Sequence, residues 1–342
     1  MDKLSESHHR RDGSFRLFFG GLSMFCLGMI YLSCPTMDFT SLAELSVHKY
    51  PSSPLGALMH ELPILQQPPA HKSADGILDI TLRAQVARFT QGPVAFNTRT
   101  YNGMFPGPTL CVKPGDTLKI TLVNDLLPDL PSEHLSMNTM RDPNTTNLHV
   151  HGMHVSPMGI SDNVLRTVKS GESMVLTIKI PETHQLGAFH YHPHHHGSTF
   201  LQMGGGMVGI ISVQDNIDQV DSLLVLQSFT FSGPMLGNHI NASTLARSTL
   251  PLDLKLTHRN HKRMAELYPE YQPQFDATAD NHPPFFIING QYQPRIQLRN
   301  GERKLFQLIN AGPTQMLELF IPGCTFEVLA KDAFPPSITT QE

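Results

Sequence analysis

Tyr101–Asp125 reads YNGMFPGPTLCVKPGDTLKITLVND, and its punctuation decides the architecture. Asn-Gly, Pro-Gly and Gly-Asp mark turns, and TLKITLVN alternates apolar and polar residues at the two-residue period of a half-buried strand. The neighbouring segments ILDITLRAQVARF, SMVLTIKI and MVGIISVQD are built alike, each bounded by Gly, Pro, Asn or Asp. Short alternating strands with regular turn signals predict an all-β protein of the sandwich type.

The same stretch can be laid on INGQYQPRIQLRNGERKLFQLINAG, Ile288 to Gly312. Asn102-Gly103 falls on Asn289-Gly290, Pro108 on Pro294, Val112 on Leu298, Gly115-Asp116 on Gly301-Glu302, and Val123-Asn124 on Ile309-Asn310. Turn residues and strand pattern match together, which predicts two copies of one β-domain. The boundary falls after VQDN, giving a first domain over 76–216 and a second over 217–342. Residues 233–284 read as loops and short strands of the second copy, with His239, His258, His261 and His282 as surface residues.

Upstream, Phe15 to Ser33 is apolar apart from Arg16 and follows Lys3, Arg10 and Arg11. A basic flank before an apolar run of that length predicts an N-terminal hydrophobic helix over 1–35, acting as export signal or membrane anchor. Residues 36–75, rich in Pro and Ser, read as a linker. The 342 residues carry a formal charge of −4, which leaves no basic footprint for nucleic acid. None of the four cysteines forms a Cys-x-x-Cys pair, which excludes a thiolate zinc site of that type. In the globular part, Cys111 and Cys324 are the one pair that could form a bridge.

Histidine is the outlier. Of 19, eight fall in one short region: His149, His151, His154, His190, His192, His194, His195 and His196. In NLHVHGMH, His149 and His151 are two apart; in YHPHHHG, His192 and His194 are two apart. Residues i and i+2 of a strand project from one face, so each pair aims two imidazoles in one direction, and two adjacent strands offer four nitrogens to one cleft. Neutral imidazole without nearby thiolate favours copper or zinc.

These residues carry a resemblance. The run from Thr146 to Val213, with TNLHVHGMH and FHYHPHHHGSTFLQMGGGMVGIISV, is similar to the first cupredoxin domain of the multicopper oxidases of the laccase and bacterial copper-oxidase type. FPGPTLCVKPGDTLKITLVNDL resembles that domain's opening strands, and ING through AKDAFP resembles the second domain. The resemblance implies tandem cupredoxin-like Greek-key sandwiches and a copper-dependent oxidase, which takes single electrons from a donor and reduces dioxygen to water. It implies that His149 binds a type 2 copper and that His151, His192 and His194 bind a type 3 pair. Gln202, Gly206 and Gly209 fit the bacterial pattern HPHxHGxxxxxQ and select His192 and His194 over His190 and His196. Asp162, in SDNVLRT, resembles the family's proton-relaying acid; read from the residues alone it is equally an Asp that opens a turn.

The departures carry expectations of their own. Val150 stands where the family has tryptophan, and the chain has no Trp. It contains no His-Cys-His segment for a type 1 copper and no second set of His-x-His pairs, although the family's cluster uses eight histidines from two domains. The chain ends at FPPSITTQE, where the family's second domain still has strands to run. The chain is therefore expected to be an exported or membrane-anchored half of an oxidase, periplasmic or extracellular, inactive without a C-terminal half, its electron donor unknown. The alternative is an exported copper-binding or sequestering protein without turnover, with Met153, Met158, Met203 and Met207 near the site. A zinc hydrolase would need a carboxylate base, for which Asp162 is the one candidate.

Overall fold

The computed structural model describes residues 17–18, 27–33, 63–91, 94–129, 141–217, 222–229, 285–292, 294–298, 302–312, 318–319 and 325–331. In chain order its elements are β1 (Leu17–Phe18), β2 (Leu27–Ser33), β3 (Ala70–Lys72), β4 (Ile77–Gln91), β5 (Val94–Tyr101), β6 (Thr109–Val112), β7 (Thr117–Asn124), β8 (His149–His151), β9 (Ser173–Lys179) and β10 (Gly187–His192). There follow α1 (Thr199–Gly205), β11 (Gly209–Val213), β12 (Ser222–Phe229), β13 (Phe285–Ile288), β14 (Arg303–Asn310), β15 (Glu318–Leu319) and β16 (Thr325–Lys331). The strand-rich, cupredoxin-like reading holds. His239, His258, His261 and His282, like Cys324, lie outside the described residues.

The first domain is a sandwich of two sheets, ordered β5-β4-β7-β9 and β3-β6-β11-β10-β8. Along β7 every second residue is buried, so Leu118, Ile120 and Leu122 point inward while Thr117, Lys119 and Thr121 stay partly wet. β4 begins with the same alternation and β9 follows it, which lines one wall of the core with Leu78, Ile80, Leu82, Leu176 and Ile178. Leu110, Val112, Phe189, Tyr191, Ile211 and Val213 line the other. Each aliphatic side chain of this size contributes about 1.5–3 kcal/mol on burial. β6, β10 and β11 are buried on both faces, and Gly209 is required where β11 passes Tyr191, because a Cβ there would lie 2.0 Å from the ring.

The repeat seen in the sequence is a structural repeat. Asn102-Gly103 and Asn289-Gly290 both have left-handed backbone, with φ of 55° and 72° in one and 50° and 77° in the other. Asn102 accepts the N–H of Arg83 at 2.6 Å and donates to Thr81 O at 3.2 Å. Asn289 accepts the N–H of Val225 and donates to Leu223 O, both at 2.8 Å. The sheet β13-β12-β14-β2-β16 repeats the order β5-β4-β7-β9, with β12 parallel to β14 as β4 is to β7.

Two expectations are corrected. Leu27–Ser33, the end of the apolar run, is a strand and not a continuation of a helix: it lies antiparallel between β14 and β16, in the place on β14 that β9 takes on β7. A short apolar segment has no periodicity to separate buried strand from helix, and two strand edges satisfy its backbone groups. Among the described residues no helix is long and apolar enough to cross a membrane. The linker also ends earlier than Gly76. Ala70–Lys72 pair with the edge of β6, Leu65 donates to Arg295 O at 2.9 Å, and Gln67 accepts the N–H of Leu223 at 2.8 Å. Pro68 and Pro69 suit the approach to an edge strand as well as they suit a linker.

Candidate metal centre

β8 is three residues long, buried only at its middle: Val150 enters the core at 1% exposure while His149 and His151 face outward. The smaller side chain at 150 is therefore a packing matter on the face opposite the histidines. β10 runs antiparallel to β8, with His192 opposite His149 and His190 opposite His151. One nitrogen from each of His149, His151 and His192 lies within 4.8 Å of the others. His194 follows Pro193, beyond the last ladder pair, and its ring centroid stands 5.2 Å from that of His149 and 6.1 Å from that of His192. All four rings expected to bind metal therefore converge on one side of the first domain.

Hydrogen bonds set the tautomers. The N–H at His149 Nδ1 donates to the Asp162 carboxylate, 3.0 and 2.9 Å from its two oxygens, which leaves Nε2 to a metal. The Val150 N–H donates to the same carboxylate at 3.0 Å, so one acid residue holds both the ring and the strand that carries it. His192 Nδ1 donates to Pro193 O at 2.9 Å and turns Nε2 toward His151 Nδ1, 3.3 Å away. Two nitrogens bound at about 2.0 Å to one tetrahedral ion would stand about 3.3 Å apart. His194 Nδ1 is buried with no hydrogen-bond partner. A buried imidazole nitrogen left in that condition beside three others is a donor set that fits copper.

Burial tunes the rings. It lowers the pKa of His192 to about 3 and that of His194 below its usual value, with the neighbouring imidazoles adding to the effect. Neutral rings keep their lone pairs for a metal and do not repel one another.

The remaining histidines of the region lie around this group. His190 is fully buried and stacks on His151 at 4.4 Å and on His192 at 5.1 Å between centroids; its pKa is held well below the ordinary value by burial and by the adjacent rings. The carbonyl of His195 accepts from the backbone and hydroxyl of Thr199 at the start of α1, at 3.0 and 2.7 Å. His196 is exposed. His154, also exposed, donates its backbone N–H to His184 Nε2 at 3.1 Å. Met153, Met203 and Met207 are buried and Met158 is 72% exposed.

Sequence reasoning passed over several residues that build the site. Gln202, used only as a spacing marker, donates to Pro143 O and Thr145 O at 2.9 and 2.8 Å and accepts from Thr146 Oγ1 at 2.8 Å, tying α1 to the approach to β8. Asn147 bonds to the turn that holds His194. Neither carries a local signal, because their partners lie dozens of residues away.

A cupredoxin-like sandwich with a convergent face of imidazoles fits a copper-binding class. Residues 85–218 match the family model described as multicopper oxidase. The multicopper oxidase mco of Staphylococcus aureus is 31% identical over 272 residues, covering 76% of this chain and 48% of that protein. The multicopper oxidase mco of Staphylococcus haemolyticus (strain JCSC1435) is 29% identical over 205 residues, 57% of this chain and 41% of that one. Among solved structures, the multicopper oxidase from Campylobacter jejuni, described as a metallo-oxidase, has 20% identity over 78% of this chain and 56% of that chain, with a TM-score of 0.48. Residues 85–218 thus carry a multicopper oxidase domain, and the chain spans about half the length of the curated relatives it matches.

Proposed function

We propose that this chain supplies one half of the trinuclear copper centre of a laccase-like multicopper oxidase. The observation that carries the reading is the convergence of His149, His151 and His192 within 4.8 Å, with His194 beside them. His149 would hold a type 2 copper through Nε2, and His151, His192 and His194 a type 3 pair. Copper held there would supply the redox chemistry by which single electrons from a donor reduce dioxygen to water. The chain's own residues do the positioning. Asp162 would keep the proton on His149 Nδ1 and, in this reading, relay protons beside that copper. Pro193 O keeps the proton on His192 Nδ1, and His190 packs against two of the ligand rings.

The 342 residues hold neither a His-Cys-His segment nor a second set of His-x-His pairs. By themselves they are proposed to bind copper without turnover, the remaining ligands coming from outside them. Three of the four nearby methionines are buried in packing, so a purely sequestering function would rest on the same histidines. An exported location rests on the basic flank of Lys3, Arg10 and Arg11 and the apolar residues after it, of which Leu27–Ser33 pair into the sheet as β2.

The test is copper stoichiometry of the purified chain. Replacing His151 and His194 together with Ala is expected to remove most of the specifically bound copper. Unchanged stoichiometry would place the site among the outer histidines of the run and overturn the assignment.

A further inference from the structure

Asn147 lies two residues before His149 in TNLHVHG and is fully buried. Its side chain reaches two separate segments. His194 N–H donates to Asn147 Oδ1 at 2.6 Å, and Asn147 Nδ2 donates to Val164 O at 2.7 Å. The amide cannot be reversed, since a backbone N–H only donates and a carbonyl only accepts.

The first contact falls where the sheet provides no other hold. The β8–β10 ladder ends at His192, and Pro193 has no N–H to extend it, so His194 stands outside the register that places the other three rings. Val164 is two residues beyond Asp162, whose carboxylate fixes His149. On the assumption that the four histidines hold copper, as proposed above, we infer that Asn147 is a positioning residue of the metal centre: one buried amide sets the spacing between the strand of His149 and His151, the turn of His194 and the loop of Asp162. The chemistry demands Asn. Asp would offer an acceptor to His194 but none of the donation that Val164 O receives, and Ala or Leu would leave a partly buried N–H and a partly buried C=O without this partner.

Asn124 provides the control. It is equally buried, donates to Asn144 O and Val168 O at 2.7 and 2.9 Å and accepts from the Leu126 N–H at 3.1 Å, and none of these bonds is to a histidine. The experiment compares the full chain with Asn147→Ala, Asn147→Asp and Asn124→Ala, measuring thermal stability, Cu(II) affinity by chelator competition, and the nitrogen hyperfine pattern in electron paramagnetic resonance. Both Ala variants are expected to lose stability. Asn147→Ala alone should also lose copper affinity, by about 10- to 100-fold, the range typical of residues that orient metal ligands, with a changed hyperfine pattern. Asn147→Asp, which keeps the acceptor facing His194, should recover part of that affinity. Adding His194→Ala to Asn147→Ala should cost less than His194→Ala costs alone, because the two act through one ligand.

Two results would overturn the inference: Asn147→Ala binding copper as the parent does, or Asn124→Ala losing as much affinity for an equal loss of stability. If His194→Ala itself leaves the parent's affinity untouched, the copper reading fails first and takes this inference with it; if His194→Ala lowers it and Asn147→Ala does not, only the positioning role falls.

Discussion

His192 Nε2 and His151 Nδ1 stand 3.3 Å apart across the antiparallel pair β8 and β10, although 41 positions separate the two residues in the chain. The spacing comes from the ladder, which sets His192 opposite His149 and diagonal to His151, and from Pro193 O, which turns the His192 ring. Cross-strand diagonals of this kind bring long side chains within reach of each other without distorting the backbone.

Asp162→Asn should weaken copper binding about tenfold while leaving the chain folded. Asn retains one acceptor for the His149 N–H or the Val150 N–H, whereas the carboxylate serves both. Competition with a chelator measures the loss. Parental affinity in this variant would mean that the strand alone orients His149.

His190→Phe should bind copper within a few-fold of the parent, because a flat ring at that position still stacks on His151 and His192. His190→Ala removes the ring from a fully buried place and should lower the melting temperature, since large-to-small changes in a packed site leave a cavity. A lost copper equivalent in the Phe variant would make His190 a ligand.

The stability of the metal-free chain should fall on acidification. The folded-state pKa of His192 is lowered from 6.5 to about 3, and that of His184 is lowered by its own burial. Between those limits the unfolded chain binds more protons, so the contribution is fully present above pH 6.5 and is lost as pH falls toward 3. Urea midpoints across that range should decline, and His192→Phe should flatten the decline. Midpoints that rise on acidification would show that His192 is protonated in the folded chain.

Copper-loaded chain should show no intense blue absorption and should not oxidise phenolic donors. Cys111 is a free thiol, 1% exposed, and burial raises its pKa, which keeps it from the thiolate form that copper needs. Absorption spectra and oxygen uptake decide the point. Blue colour from these residues alone would show a copper–thiolate bond and overturn the expectation.

The local pattern determined a good deal. Period-two alternation in TLKITLVN and SMVLTIKI sufficed for the strands, because a strand with one dry and one wet face must alternate. The two Asn-Gly pairs foretold a structural repeat, because left-handed backbone admits few other residues. The i, i+2 spacing placed His149 and His151 on one face for the same reason that β7 alternates. Tertiary structure decided what spacing could not. His190 has the same spacing from His192 as His194 does, and only the end of the ladder at His192 and the bond from Asn147 separate a packing ring from a candidate ligand. Leu27–Ser33 became a strand because β14 and β16 offered it two edges, and residues 63–72 joined the body because β6 offered one. An apolar or proline-rich segment carries no record of a partner hundreds of residues away; hydrogen-bonding groups on an open edge exist only once the rest of the sheet has formed.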